Sequence, residues 1–185
     1  MPFLMDSEIE KAVGERVIEG LVKRRPMGSG GQRATGLRRH RLERWAAWAS
    51  FGSAAVHAAL IHEHAEEWWG YGLFFGLSAL AQVVLGLALL TDAVNPRDTG
   101  PRWASIRRGV YWLGLLGTLA LLVLYAITRT AGIPWFGPAA GEVEAVSAID
   151  LVAKAFELVA AGALVLLLRM PKTDDPAEGG PMPAS

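Results

Sequence analysis

The chain has 185 residues, with 18 Lys+Arg, 18 Asp+Glu, seven Trp and no Cys. A formal charge of zero disfavours a nucleic-acid binder, and the lack of Cys excludes disulfide scaffolds, Cys-based zinc or iron–sulfur sites and a Cys nucleophile. The charges are segregated: residues 69–90 and 109–128 contain none, whereas a soluble domain carries charge throughout.

In chain order, residues 6–24 read as a helix capped by Asp6 or Ser7. Ile9, Val13, Val17 and Leu21 recur every fourth residue opposite a charged face. The arm (residues 1–25) is expected as an amphipathic helix on the inner membrane surface or on a protein partner. Pro26-Met27-Gly28-Ser29-Gly30-Gly31 begins a flexible basic linker to residue 44. It is not a phosphate loop, because no Gly-Lys-Ser/Thr ends it. Arg38, Arg39, Arg41 and Arg44 are placed to anchor the next segment to lipid phosphates.

A membrane helix needs about 20 apolar residues. Four segments are predicted to span: Trp45 to His62, Trp69 to Leu90, Gly109 to Thr128, and Ala145 to Leu168. The first is short and rich in Ala. Basic residues before a short apolar stretch also describe a signal peptide, but the preceding arm is longer than an ordinary n-region. The fourth carries Asp150, Lys154 and Glu157. Asn95-Pro96 and Gly100-Pro101 mark the second loop, and Gly132, Pro134, Gly137 and Pro138 the third. Trp45, Trp48, Trp68, Trp69, Tyr71 and Trp135 lie near span ends, where aromatic side chains favour the interface. Gly72 and Gly76, and Gly114 and Gly117, permit close helix approach. The tail, residues 169–185, reads as disordered and cytoplasmic.

Charge sets the orientation. Eight Lys/Arg against one acid, Glu43, lie between Lys23 and Arg44. Four Arg against two acids lie between Thr91 and Arg108. The first loop, His62-Glu-His-Ala-Glu-Glu67, has three acids and no base, and the third sets Arg129 against Glu142 and Glu144. Positive charge stays inside, so both termini are expected to be cytoplasmic in a bacterial inner membrane.

Ionisable groups within spans mark function by default. At ~1.5 Å per residue, His57 and Asp150 are expected roughly 7 Å from the outer surface, and Gln82 and Glu157 roughly 18–20 Å. Depth matching pairs His57 with Asp150 or Lys154, and Gln82 with Glu157. Asp150, Lys154 and Glu157 share one helix face. They form either a packing stripe neutralised by Lys154 or a protonatable, ion-binding stripe. At the mouth, His57, His62, His64 and Glu67 offer ligands for a divalent transition metal, although the spacing matches no HExxH-type motif. The bland alternative is a solvated acidic loop. Haem is disfavoured, since all four His precede the second span and no Met lies within a span.

The string from His57 through His62-Glu-His-Ala-Glu-Glu67-Trp68-Trp69-Gly-Tyr71, with Gln82, Arg129 to Pro138, Asp150 and Glu157, resembles small uncharacterised four-span membrane proteins of actinobacteria and neighbouring groups. The resemblance covers residues 45–168 and implies a bacterial inner-membrane bundle with no established activity. The reading is therefore an all-α transmembrane four-helix bundle with an outward-opening polar site. That site binds or moves a divalent metal or protons, with Arg129 as an electrostatic gate. The alternative is a non-catalytic accessory subunit of a membrane complex, docked through its N-terminal helix. A membrane enzyme using His57 and Glu157 for acid–base work lacks an accompanying nucleophile. Lipid and a homo-oligomer or larger complex are the expected partners.

Overall fold

The computed structural model describes residues 29–91 and 101–170. The amphipathic arm, the tail from residue 171 and residues 92–100 of the second loop lie outside the described residues. The chain divides into two units after residue 38, and the bundle is built by described residues of the second, from Arg39 onward.

The described residues fold into four helices, α1 (Ser29–Glu67), α2 (Trp69–Leu90), α3 (Pro101–Thr130) and α4 (Ala148–Arg169). Three of them, α2, α3 and α4, are long and apolar enough to cross a membrane, which fits a membrane protein. Their outer faces carry large exposed apolar residues, such as Leu73, Leu77, Leu80 and Val84 on α2 and Leu113 and Leu116 on α3. Apolar surface on this scale needs a cover, and lipid is the natural one.

The helix boundaries correct several expectations. Residues 29–44, expected in a linker, are helical, as good helix formers (Gln, Ala, Arg, Leu, Glu) follow the opening glycines without a proline. The acidic first loop is also helical. Its Ala and Glu residues favour helix, and the chain breaks only at Trp68, whose backbone is extended (φ −166°, ψ 133°). Residues 101–108, expected in a loop, form the first turns of α3. Pro101 suits a first helical position, because its missing N–H would have no partner there anyway.

Small residues bring α1 against its neighbours. Ala46, Ala47, Ala49, Ala54, Ser50 and Ser53 are buried, while Trp45 and Trp48 point outward. A Cβ on Gly52 would lie 2.7 Å from the Phe156 ring of α4, and one on Gly86 would lie 2.6 Å from the Phe51 ring. Of the four glycines singled out for packing, Gly72 sits against Ala65 and Gly114 against Leu85, whereas Gly117 faces open space. A Cβ at Gly72 would stand 2.5 Å from the Ala65 Cβ and 2.9 Å from its Cα, so backbone has to move. Gly72→Val is expected to cost about 1–3 kcal/mol through overpacking. Equilibrium unfolding in mixed micelles checks this, with Gly117→Val as the tolerated control.

Ala46, Ala47, Leu89, Tyr111, Leu115 and Leu164 belong to the apolar core cluster. Beside it the Tyr111 hydroxyl donates to the fully buried carboxylate of Glu43, joining α1 to α3.

Between α3 and α4, residues 131–147 form an ordered turn-rich connection. Ala131 and Gly132 N–H both donate to Ile127 O, ending α3. Gly132 takes φ +68°, a conformation that L side chains avoid. Glu144 N–H donates to Thr128 O, and the Tyr71 hydroxyl donates to Phe136 O at 3.1 Å. Phe136 stands edge-on to Trp68, with centroids 5.1 Å apart. Phe136 thus packs against Trp68 and Tyr71, and Trp135 is exposed.

Candidate functional site

The deepest polar cluster is assembled by α1, α2 and α4. Glu157 is 1% exposed and lies nine residues into α4. Lys154, one turn earlier, donates to both carboxylate oxygens at 2.7 Å. His57 Nε2 lies 3.1 Å from Glu157 Oε1, and Ser53 Oγ donates to the same oxygen at 3.3 Å. Gln82 Nε2 of α2 donates to Ser53 Oγ at 2.9 Å. A buried carboxylate requires this kind of compensation, because desolvation without partners costs several kcal/mol, roughly.

The pairing differs from depth matching. His57 reaches Glu157, not Asp150 or Lys154, because α1 continues to Glu67. His57 is ten residues from that end, about 15 Å rather than about 7 Å. Gln82 is linked to Glu157 through Ser53, a residue that charge and depth do not single out. Its signal is nonetheless legible: Ser50, Ser53 and His57 recur at helical spacing on the face that Ala46, Ala49 and Ala54 bury.

Asp150 has a different role from the one expected. It is the third residue of α4, not a deep one, and it closes a capping box: Asp150 N–H donates to Ser147 Oγ at 3.2 Å and Ser147 N–H donates to Asp150 Oδ2 at 3.1 Å. The Ser-x-x-Asp spacing announces such a cap. Asp150 Oδ2 also accepts from Arg129 Nη2 at 2.7 Å, and Arg129 Nη1 pairs with Glu144. Asp150, Lys154 and Glu157 are thus split between two ion clusters, one at the helix start and one in the interior. Tyr125 lies between them, with Arg129 Cζ and Lys154 Nζ each 5.1 Å from its ring centroid.

The mouth histidines disperse. His62 is exposed and, among the described residues, pairs with Glu66 of its own helix, at 3.2 Å. His64 Nδ1 lies 3.0 Å from Leu60 O, and its ring packs on Phe75 with centroids 4.1 Å apart. Glu67 is exposed. Among the described residues, no three His, Asp or Glu side chains are grouped so as to hold a metal ion. The helical first loop is the physical reason: it spreads His57, His62 and His64 along and around a straight rod.

A cavity of about 420 Å³ lies above the interior cluster. His57, Tyr125, Arg129 and Lys154 contribute to its polar lining together with the acids Glu142, Glu144 and Asp150, and Phe75 and Trp135 are among its apolar walls. A wider cleft of about 600 Å³ adjoins it, lined by Glu63, Glu67, Glu142, Glu144 and Asp150 among others. The loop residues Ile133 to Phe136 border the inner cavity, and Arg129 borders both spaces, as do Glu142, Glu144 and Asp150.

The sequence matches no protein-family model, no curated protein and no solved structure at a significant level.

Proposed function

We propose that this chain is a four-span integral membrane protein that binds a small, largely apolar solute in the cavity above His57, with a proton moving on or off the His57–Glu157 pair as the solute binds. Residues 45–62 of α1 would be the fourth span. Their low hydropathy follows from their task, since the helix turns Ala, Gly, Ser and His towards the other spans. Small residues and interhelical hydrogen bonds are how helices associate in lipid. The charge distribution supports a bacterial inner membrane, both termini in the cytoplasm and the cavity opening outward.

One observation carries the reading: a buried imidazole and an ammonium, both held on the buried Glu157 carboxylate, line a cavity walled by aromatic side chains. A volume of about 420 Å³ suits a small organic molecule. Across the two ion clusters, Arg129 and Lys154 face Glu144, Asp150 and Glu157, leaving one negative charge in excess unless His57 is protonated. The dispersed mouth histidines favour this proton-linked site over a metal site, and Arg129 is the natural gate between cleft and cavity.

The test is nitrogen NMR of the histidine-labelled protein in lipid nanodiscs, with 1-aminoanthracene as the probe solute. The His57 signals are expected to move when the probe enters the wild-type cavity. They are expected to stay still in Ala153→Phe, which fills the cavity from its buried Ala153 wall. A probe that does not enter, or that enters without changing His57, would overturn the proposal.

A further inference from the structure

The cavity and the cleft beside it are short of positive charge. Glu142, Glu144 and Asp150 border both spaces, and Glu63 and Glu67 border the cleft. Among the described residues, Arg129 and Lys154 are the Lys and Arg side chains in these linings. Both are already engaged, Arg129 with Glu144 and Asp150 and Lys154 with Glu157. Glu63, Glu67 and Glu142 are left without an ion pair among the described residues. Protons on His57 and His64 would not reverse the sign, because the acids, Glu157 included, still outnumber the bases.

Acids alone would make no more than a solvated rim. Here they stand over an apolar cavity of about 420 Å³, with Tyr71, Phe74, Phe75 and Trp135 among its walls. Those walls suit a flat ring, which packs edge-on or offset against aromatic side chains. Glu142 is exposed and lies where the apolar cavity meets the acidic cleft. That junction selects the charge of the occupant. An uncharged solute would take water from the Glu142 carboxylate and give nothing back, which a charge resists. An anion would meet Glu142 and Glu144 with both resident cations already committed. A cation is drawn in, because a cleft lined by one sign of charge concentrates the opposite sign.

We infer that the cavity takes an organic cation, an ammonium carried on a flat apolar body, with the body among the aromatic walls and the ammonium towards the cleft on the Glu142 side. This inference rests on the solute-binding reading above and names its ligand class.

The experiment measures binding of three probes to the full chain in zwitterionic nanodiscs at neutral pH. They are (1-naphthylmethyl)trimethylammonium, its uncharged carbon isostere 1-neopentylnaphthalene, and 1-naphthylacetate. Partition into empty nanodiscs of the same lipid is subtracted. The cation is expected to bind about fivefold more tightly than the isostere, the scale of one part-exposed ion pair, and the anion more weakly than either. Glu142→Gln keeps the size of a side chain that makes no ion pair, and it is expected to lower the preference to about twofold. Glu66→Gln removes the same charge from an exposed acid that borders neither space, and it is expected to leave the preference near its wild-type value. Equal binding of cation and isostere, or tightest binding of the anion, would overturn cation recognition while leaving the solute-binding reading intact. An unchanged preference in Glu142→Gln, or an equal loss in both variants, would do the same. Binding of none of the three probes would overturn both.

Discussion

Glu157→Ala is expected to lower the unfolding free energy in micelles by about 3–5 kcal/mol, the usual cost of removing one partner of a buried ion pair. Lys154 is only 13% exposed and would be left beside an apolar hole, while Ser53 and His57 would lose their shared acceptor. Lys154→Met strands the carboxylate instead and is expected to cost a similar amount. The double variant Lys154→Met/Glu157→Met removes both charges at nearly constant volume and is expected to fall within about 1–2 kcal/mol of wild type, because a pair replaced by apolar groups recovers its desolvation cost. Denaturant unfolding followed by tryptophan fluorescence measures these proteins, with Glu157→Met as the further single variant that closes the cycle with Lys154→Met. If the single costs simply add, the two residues are not one unit, and their pairing does not hold the lining of the cavity.

Arg129→Met is expected to lower stability by about 2–3 kcal/mol, less than the interior change because Glu144 is half exposed and solvent screens its share. The larger effect is local. Asp150 keeps its capping bonds to Ser147, but the tie from the end of α3 to the start of α4 is lost. The connecting loop should open, so chymotrypsin should cleave at Trp135 and Phe136 faster than in wild type. Arg129→Lys keeps the charge but not the fork that spans two carboxylates, and it should behave in between. Cleavage unchanged from wild type in Arg129→Met would mean that Tyr71 and Trp68 alone hold the loop.

Legibility varies along the chain for physical reasons. The bounds of α2 can be read to the residue, because an uncharged apolar run bounded by Trp68 and Thr91 leaves one solution. The start of α4 lies within three residues of the expected one, and its cap is written in Ser147 and Asp150. α1 is longer than its apolar stretch suggests and is the least apolar of the four, since a helix that buries Ala, Ser and Gly against its neighbours has little left to show as hydropathy.

The candidate site divides in the same way. His57, Gln82, Lys154 and Glu157 stand out because ionisable and amide groups are costly at membrane depth, and the structure brings all four together through Ser53. His62, His64 and Glu67 stand out by composition alone, and a straight helix holds them apart. Tyr125 gives no such signal and Ser53 only that of its spacing with Ser50 and His57, because a tyrosine or serine in a span is cheap and common.

By itself the sequence determined the helical class, three of the four expected spans as helices long and apolar enough to cross a membrane, and the identity of the costly buried groups, all of which follow from local composition and periodicity. Which group meets which was decided only by the tertiary structure. Partners on separate helices depend on where each helix starts and how closely small residues let the helices approach, and neither is encoded within a single segment.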